Sequence, residues 1–273
     1  MTTIVERGRT HRARHSRSAQ SALSVTAGVV PPSVVLRSPV DLEVVIPAYN
    51  ESSRLPATLR RSVEFLADQP WRTRLVVVDN GSVDETAAVA RAAVCSTGLV
   101  TVTVIGCSRA GKGAAVHRGL MTSTSPMIGF FDADLATPVE TLTETVDALR
   151  AGAAAVIASR HAPGARFVQP QPFGRRLGGA AFRALTRPLV TGVHDTQCGF
   201  KFFQRDAVQA AIRRCRMTGF AFDVELLAQI QRDGGRIVEL PVAWTDQTGS
   251  TFHPIRDGLT SFGAVLSLHG STR

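Results

Sequence analysis

The sequence predicts an α/β domain built on a doubly wound, Rossmann-like, mostly parallel central sheet with helices on both faces. Between Asp41 and Arg160, short runs rich in Val, Ile and Leu alternate with stretches of helical periodicity. The short runs are apolar throughout, as expected of strands covered on both faces. Strand and helix also follow one another singly, the βαβα rhythm of a parallel sheet.

Strands are expected at 43–46, 75–78, 100–105, 127–131 and 154–158, with helices at 55–67, 84–94, 113–123 and 138–151. Ser82 and Asp84 suit the N-cap of the second helix, and Thr137-Pro138 opens the fourth with proline in its first helical position. After Arg160 the rhythm breaks. Residues 161–172 read as a loop with Pro163, Gly164, Pro170 and Pro172. A helix over 174–190 follows, then the segment 195–203, helices at 206–214 and 223–232, and a strand at 236–240. A weak last helix over 257–268 places Leu259, Phe262 and Leu266 on one side.

The 273 residues are 44% hydrophobic and 19% charged, with a mean hydropathy of +0.07, which excludes a mainly disordered chain and permits a full core without staples. The four cysteines lack CxxC spacing, pointing to a reducing, cytosolic setting. The net charge of +9 is uneven: Arg7, Arg9, Arg12, Arg14 and Arg17 are opposed only by Glu6. The high pI of about 10.7 is therefore partly a property of the first eighteen residues and argues little for nucleic acid. No stretch reaches the roughly 20 apolar residues of a membrane span. Residues 22–36, interrupted by Pro31 and Pro32, lack the continuous apolar region of a signal peptide. Residues 1–40 read as a basic, disordered leader.

In an open parallel sheet, ligands bind beyond the carboxyl ends of the strands. Four polar clusters fall at such ends: Pro47-Ala48-Tyr49-Asn50-Glu51, Asp79-Asn80-Gly81-Ser82, Gly111-Lys112-Gly113 and Asp132-Ala133-Asp134. Two carboxylates one residue apart, just after a buried strand, can be aimed at one hard cation. Mg²⁺ typically takes one or two carboxylates and completes its shell with substrate phosphates. The plainer alternative is a solvated turn in which Asp134 or Thr137 caps the next helix. Residues 106–113 nearly match the phosphate-cradling G-x4-G-K-[ST] loop, but Gly113 lacks the hydroxyl that such a loop offers to Mg²⁺. A nucleotidase is thereby disfavoured, leaving either a glycine-flanked lysine near a diphosphate or a flexible turn with a solvated lysine.

Seven segments then carry a resemblance: VVIPAYNE (44–51), VVDNGSVDET (77–86), RAGKGAAVHRG (109–119), DADLATP (132–138), ASR (158–160), DTQCGFKFF (195–203) and FDVELL (222–227). In order and spanning about 44–244, they resemble family 2 glycosyltransferases of the GT-A fold. They most resemble the dolichyl-phosphate glucosyltransferase and mannosyltransferase branch. DADLATP and DTQCGFK are most similar to the glucosyl side. The resemblance implies a nucleotide-sugar-binding half over 41–160 and an acceptor-binding half over 161–273 of one domain. It implies that Pro47, Ala48, Tyr49 and Glu51 line a nucleotide pocket, that Asp79 and Asn80 approach the base, and that Lys112 lies near nucleotide and sugar. Asp132 and Asp134 would hold Mg²⁺ or Mn²⁺, Arg160 would face the phosphates, and Asp195, Gln197 and Lys201 would border the acceptor. The usual Asp-Asp-Gly-Ser reads Asp79-Asn80-Gly81-Ser82 here, which leaves UDP against GDP open.

The implied reaction is an inverting, metal-dependent transfer of a hexose, UDP-glucose being the favoured donor, to a polyprenyl or dolichyl phosphate. Other readings within the class are GDP-mannose, a UDP-N-acetylhexosamine, or a non-lipid acceptor. A phosphate monoester with a second pKa of about 6 is largely dianionic at neutral pH and needs no general base. No Ser–His or His–Asp arrangement stands out in the chain. A lipid acceptor requires docking on an anionic membrane, here expected at its cytoplasmic face. The stretch 173–190 offers Arg176, Arg183 and Arg187 along one helical face, with Leu177, Phe182, Leu185 and Leu189 for burial or lipid contact. No nucleic-acid partner is expected, because paired carboxylates would repel its backbone.

Overall fold

The computed structural model describes residues 40–169, 173–219 and 221–245, together with 263 and 265, giving only the backbone for 173–176. The leader expected over 1–40 and the helix expected over 257–268 lie outside the described residues, apart from positions 40, 263 and 265.

The first half follows the expected rhythm: β1 (Leu42–Ala48), α1 (Leu55–Ala67), β2 (Thr73–Asp79), α2 (Thr86–Ala92), β3 (Cys95–Thr97), β4 (Val100–Gly106), α3 (Lys112–Thr122), β5 (Met127–Phe131), α4 (Leu142–Arg150) and β6 (Ala155–Ser159). The second half contributes β7 (Arg166–Phe167), α5 (Phe173–Thr186), β8 (Phe200–Gln204), α6 (Arg205–Ile212), α7 (Phe222–Arg232), β9 (Ile237–Pro241) and β10 (Ala243–Trp244). Eight strands form one sheet in the order β3-β4-β2-β1-β5-β8-β6-β9, and β10 pairs with β7 separately. Pairing is parallel between β4 and β2, β2 and β1, β1 and β5, and β6 and β9. Among the described residues only β3, against β4, and β8, against both β5 and β6, run antiparallel.

The continuous apolarity of the strands has a direct cause. Leu42, Val44 and Ile46 of β1 point into a cluster with Leu55, Leu59 and Leu66 of α1 and Leu142, Val146 and Leu149 of α4. Val45 points the other way, into a cluster with Ala115, Val116 and Leu120 of α3 and Phe222, Val224 and Leu227 of α7. Successive side chains enter opposite cores, so none can be polar without cost.

Several local expectations are corrected. Glu85, without a side-chain bond, occupies the α2 N-cap, and Asp84 instead accepts from the Thr86 N–H at 3.0 Å. Pro138 sits before a 3-10 turn, Val139–Thr141, and not inside α4, its ψ of 135° being extended. Helix α5 ends at Thr186, short of 190, because Pro188 disfavours helical geometry at the residue before it. The 195–203 segment supplies β8, whose Phe200, Lys201, Phe202 and Phe203 are all fully buried.

Candidate active site

The carboxyl edge of β1, β2, β4 and β5 is stitched together by its own loops. Asn50 adopts a positive φ of 55°, tolerable for asparagine, and this turns the chain after β1 toward the loop after β2. Its N–H donates to Ser82 Oγ at 3.1 Å, and its Oδ1 accepts from the Val83 N–H at 3.0 Å. The Glu51 N–H donates to Thr86 Oγ1 at 2.7 Å. Pro47 is partly exposed, Ala48 is buried, and Tyr49 presents nearly half its surface to solvent. The Glu51 carboxylate receives two bonds from Arg54, both 2.6 Å, and burial raises its pKa despite that partner. Asp79 Oδ1 accepts from the Ser82 N–H at 3.3 Å. Asp79, Cys107, Arg109, His117 and Arg118 are among the residues bounding an open pocket of about 630 Å³ beside this edge.

Asp132 and Asp134 follow the fully buried β5 directly. The Asp132 N–H donates to the Gly199 carbonyl at 2.9 Å, and a Cβ at Gly199 would overlap the Asp132 carboxylate. Gly199 is therefore the cradle in which that carboxylate lies. Asp134 Oδ1 accepts from the Ala136 N–H at 3.0 Å, across a turn in which Leu135 takes a φ of 48°. Lys112 Nζ lies 2.6 Å from Asp132 Oδ1 and 5.8 Å from the Phe130 ring centre. Burial works against the Lys112 charge, but Asp132 and Asp223 outweigh it and hold its pKa above the ordinary value. Asp134 has its pKa raised, first by burial and then by Asp132. Both causes work against its negative charge, and Lys112 and Arg54 offset them only in part. Among the described residues no group of three or more His, Cys, Asp or Glu is placed to hold a metal. Two carboxylates nonetheless fit Mg²⁺ or Mn²⁺ where phosphate oxygens complete the shell.

At the end of β6, Arg160 grips Asp195 in a fork, Nε–Oδ2 at 2.7 Å and Nη2–Oδ1 at 2.9 Å, and its guanidinium lies 5.5 Å over Trp244. Asp195 is fully buried; burial alone would raise its pKa, but Arg160 holds it well below the carboxylate range. Glu239 braces the turn, accepting the His194 and Asp195 N–H groups at 2.9 and 3.0 Å. The Gln197 N–H donates to Asp195 Oδ1 at 3.1 Å. Lys201 is also fully buried, 2.9 Å from Asp223 and 5.5 Å from the Phe130 ring centre. Asp195 and Lys201, expected to border the acceptor, are both buried, and the Arg160 fork, expected to face phosphates, is turned onto Asp195. On α5, Phe182 is buried, Leu185 packs against the core and Leu177 is exposed; in the turn beyond its end, Arg187 is exposed and Leu189 packs against the core. The Arg176 side chain lies outside the described residues.

Residues 43–211 match Glycosyl transferase family 2. The chain belongs to that family. The transferase is 30% identical over 244 residues to a dolichyl-phosphate beta-glucosyltransferase of Dictyostelium discoideum, covering 84% of this chain and 75% of that one. It is 34% identical over 226 residues to a dolichyl-phosphate beta-glucosyltransferase of Homo sapiens, covering 78% and 70%. Its fold is similar to that of glucosyl-3-phosphoglycerate synthase from Mycobacterium tuberculosis. The complex of that enzyme with phosphoglyceric acid superposes with a TM-score of 0.63 at 21% identity, covering 84% of this chain and 79% of that one. The complex with Mn²⁺, UDP-glucose and phosphoglyceric acid gives 0.59 at 21% identity, covering 85% and 80%.

Sequence reasoning passed over Gly199, Glu239 and Trp244 and left Asp223 without a role. Gly199 and Asp223 lie inside motifs that had been noticed, so their signal was present. Glu239 and Trp244 sit on strands with no local mark of chemistry, and only the fold brings Glu239 to the Asp195 turn and Trp244 to Arg160.

Proposed function

We propose that this transferase moves a hexose, glucose foremost, from a UDP-sugar to the phosphate of a polyprenyl or dolichyl lipid, with inversion at the anomeric carbon. The observation that carries the reading is the Lys112–Asp132–Asp134 cluster at the strand edge, beside the stitched loops bearing Tyr49 and Asp79. The names of the dolichyl-phosphate glucosyltransferase relatives support the acceptor. The Mn²⁺ and UDP-glucose complex of the structural neighbour supports the donor and the metal.

Pro47, Ala48, Tyr49 and Glu51 line the nucleoside end in this reading, with Asp79 toward the base. Asp132 and Asp134 hold Mg²⁺ or Mn²⁺, which when bound neutralises charge developing on the departing diphosphate. Lys112 adds a fixed positive charge on the same side. Arg160, locked between Asp195 and Trp244, directs its charge without reorganising during the reaction. Asp195 and Lys201 act from behind, and Gln197 lies on the turn toward the acceptor. The attacking phosphate brings its own negative charge and needs no base.

Among the described residues no helix is long and apolar enough to cross a membrane. We assign acceptor capture to peripheral docking of α5 and the turn after it on an anionic, cytoplasmic-face surface. Exposed Leu177 and Arg187, with half-buried Arg183, meet acyl chains and headgroups there, and Arg176, whose side chain lies outside the described residues, is assigned to the same basic stretch from its place in the sequence alone. The test is a panel of UDP- and GDP-sugars with a short polyprenyl phosphate and Mn²⁺, followed by organic extraction. Labelled glucose in the organic phase, from UDP-glucose above all other donors, is the expected result. Mannose from GDP-mannose would replace the donor assignment, and product confined to water would overturn the lipid acceptor.

A further inference from the structure

The amide of Asn80, at the end of β2, is wholly engaged by the loop that leads into α3. Its Oδ1 accepts from the Gly111 N–H at 2.8 Å, while its Nδ2 donates to the Arg109 carbonyl at 2.7 Å and to the Cys107 carbonyl at 3.3 Å. Its backbone N–H donates to the Ala48 carbonyl at 2.9 Å, fixing it to the end of β1 as well. The residue clamped most directly is the α3 N-cap, Gly111, whose φ of 111° excludes an ordinary side chain. The next residue is Lys112, whose ammonium meets Asp132.

We propose that Asn80 is a positioning residue for donor binding: it reads no base, and it holds the 107–111 loop so that Lys112 stands against Asp132. This rests on the donor-site reading above. An aspartate here could still accept from Gly111, but its second oxygen would face the carbonyls of Arg109 and Cys107, repelling two acceptors that now receive hydrogens. The amide is thus chemically required by the loop, which accounts for the departure from the paired-aspartate pattern without any change of nucleobase.

The test uses Asn80→Asp, Asn80→Ala, Lys112→Ala and the double variant Asn80→Asp/Lys112→Ala. Backbone hydrogen exchange on the ligand-free protein reads the clamp directly: Asn80→Ala should speed exchange of the Gly111 amide at least about tenfold and leave the β1 amides unchanged. With Mn²⁺ present, Asn80→Asp should weaken UDP and GDP binding by the same factor, about tenfold, and leave uridine binding unaltered. The double variant should bind UDP no more weakly than Lys112→Ala alone. Multiplying losses in the double variant, a changed UDP-to-GDP ratio, or weakened uridine binding would overturn the proposal in favour of direct base contact. Unchanged Gly111 exchange would overturn the clamp. If the wild-type protein binds no UDP, the donor reading fails, and the exchange result still decides whether Asn80 holds the loop.

Discussion

Gly199 and Asp132 come from segments 67 residues apart, yet the first exists in its present form to make room for the second. Gly199→Ala should displace the Asp132 carboxylate and lower sugar transfer at least about 100-fold, while the circular dichroism spectrum stays that of the parent. Retention of a tenth or more of the activity would show that the carboxylate tolerates displacement. Asp195 presents the opposite case, a carboxylate whose task is structural. Its folded pKa is depressed by Arg160, so the stability it contributes is full above the unfolded value of about 3.9 and is lost as pH falls through the folded one. Asp195→Asn should cost about 3–5 kcal/mol in urea unfolding at pH 7, because it strands Arg160. The cost should shrink below about pH 4, and a cost independent of pH would contradict the ion pair. Both residues lie in a motif legible in the sequence, but their roles were not. Burial decides between contact and support, and a string of letters carries no burial for a charged residue paired out of sight.

Strands β1, β2, β4, β5 and β6 and helix α1 were legible because the apolar side chains of these strands enter one of two cores and α1 keeps one apolar face. Strand β3 was not, since all three of its residues are exposed and carry no hydrophobic signal. Strand β8 was obscured by Lys201, a charge in an aromatic run made tolerable by its pairing with Asp223 and its bond to the Cys198 carbonyl. Phe130 of β5 lies against both lysines and against Phe222 of α7, whose ring centre is 6.1 Å away. Phe130→Ala should cost about 3–5 kcal/mol by chemical denaturation; a loss under 1 kcal/mol would mean that β5 and α7 are not packed as described. The cysteines report on the same packing. Burial pushes the Cys198 thiol up to about 11 and the Cys215 thiol up to about 12, whereas Cys95 is exposed on β3. Alkylation of the native protein at pH 8 should therefore modify Cys95 and spare Cys198 and Cys215 until the fold is opened with denaturant.

At the scale of the whole molecule, the sheet brings four loops from one half of the chain to a common edge, and the antiparallel β8 delivers Gly199 and the Asp195 turn against them. The four strand-end clusters were legible as one site because parallel topology sends every carboxyl end to the same side. The bracing of Arg160 by Asp195 and Trp244, and of the Asp195 turn by Glu239, was not, because it depends on β9 and β10 arriving from the far end of the chain. The central claim, a divalent ion joining the twin aspartates to a nucleoside diphosphate, is tested most directly by calorimetric titration of UDP into the protein with Mn²⁺ and with EDTA, for the wild type and Asp134→Asn. Mn²⁺ should tighten UDP binding to the wild type at least about 100-fold, and Asp134→Asn should abolish this gain while its fold is kept. Equal UDP affinity in Mn²⁺ and in EDTA, or an undiminished gain in Asp134→Asn, would contradict the claim.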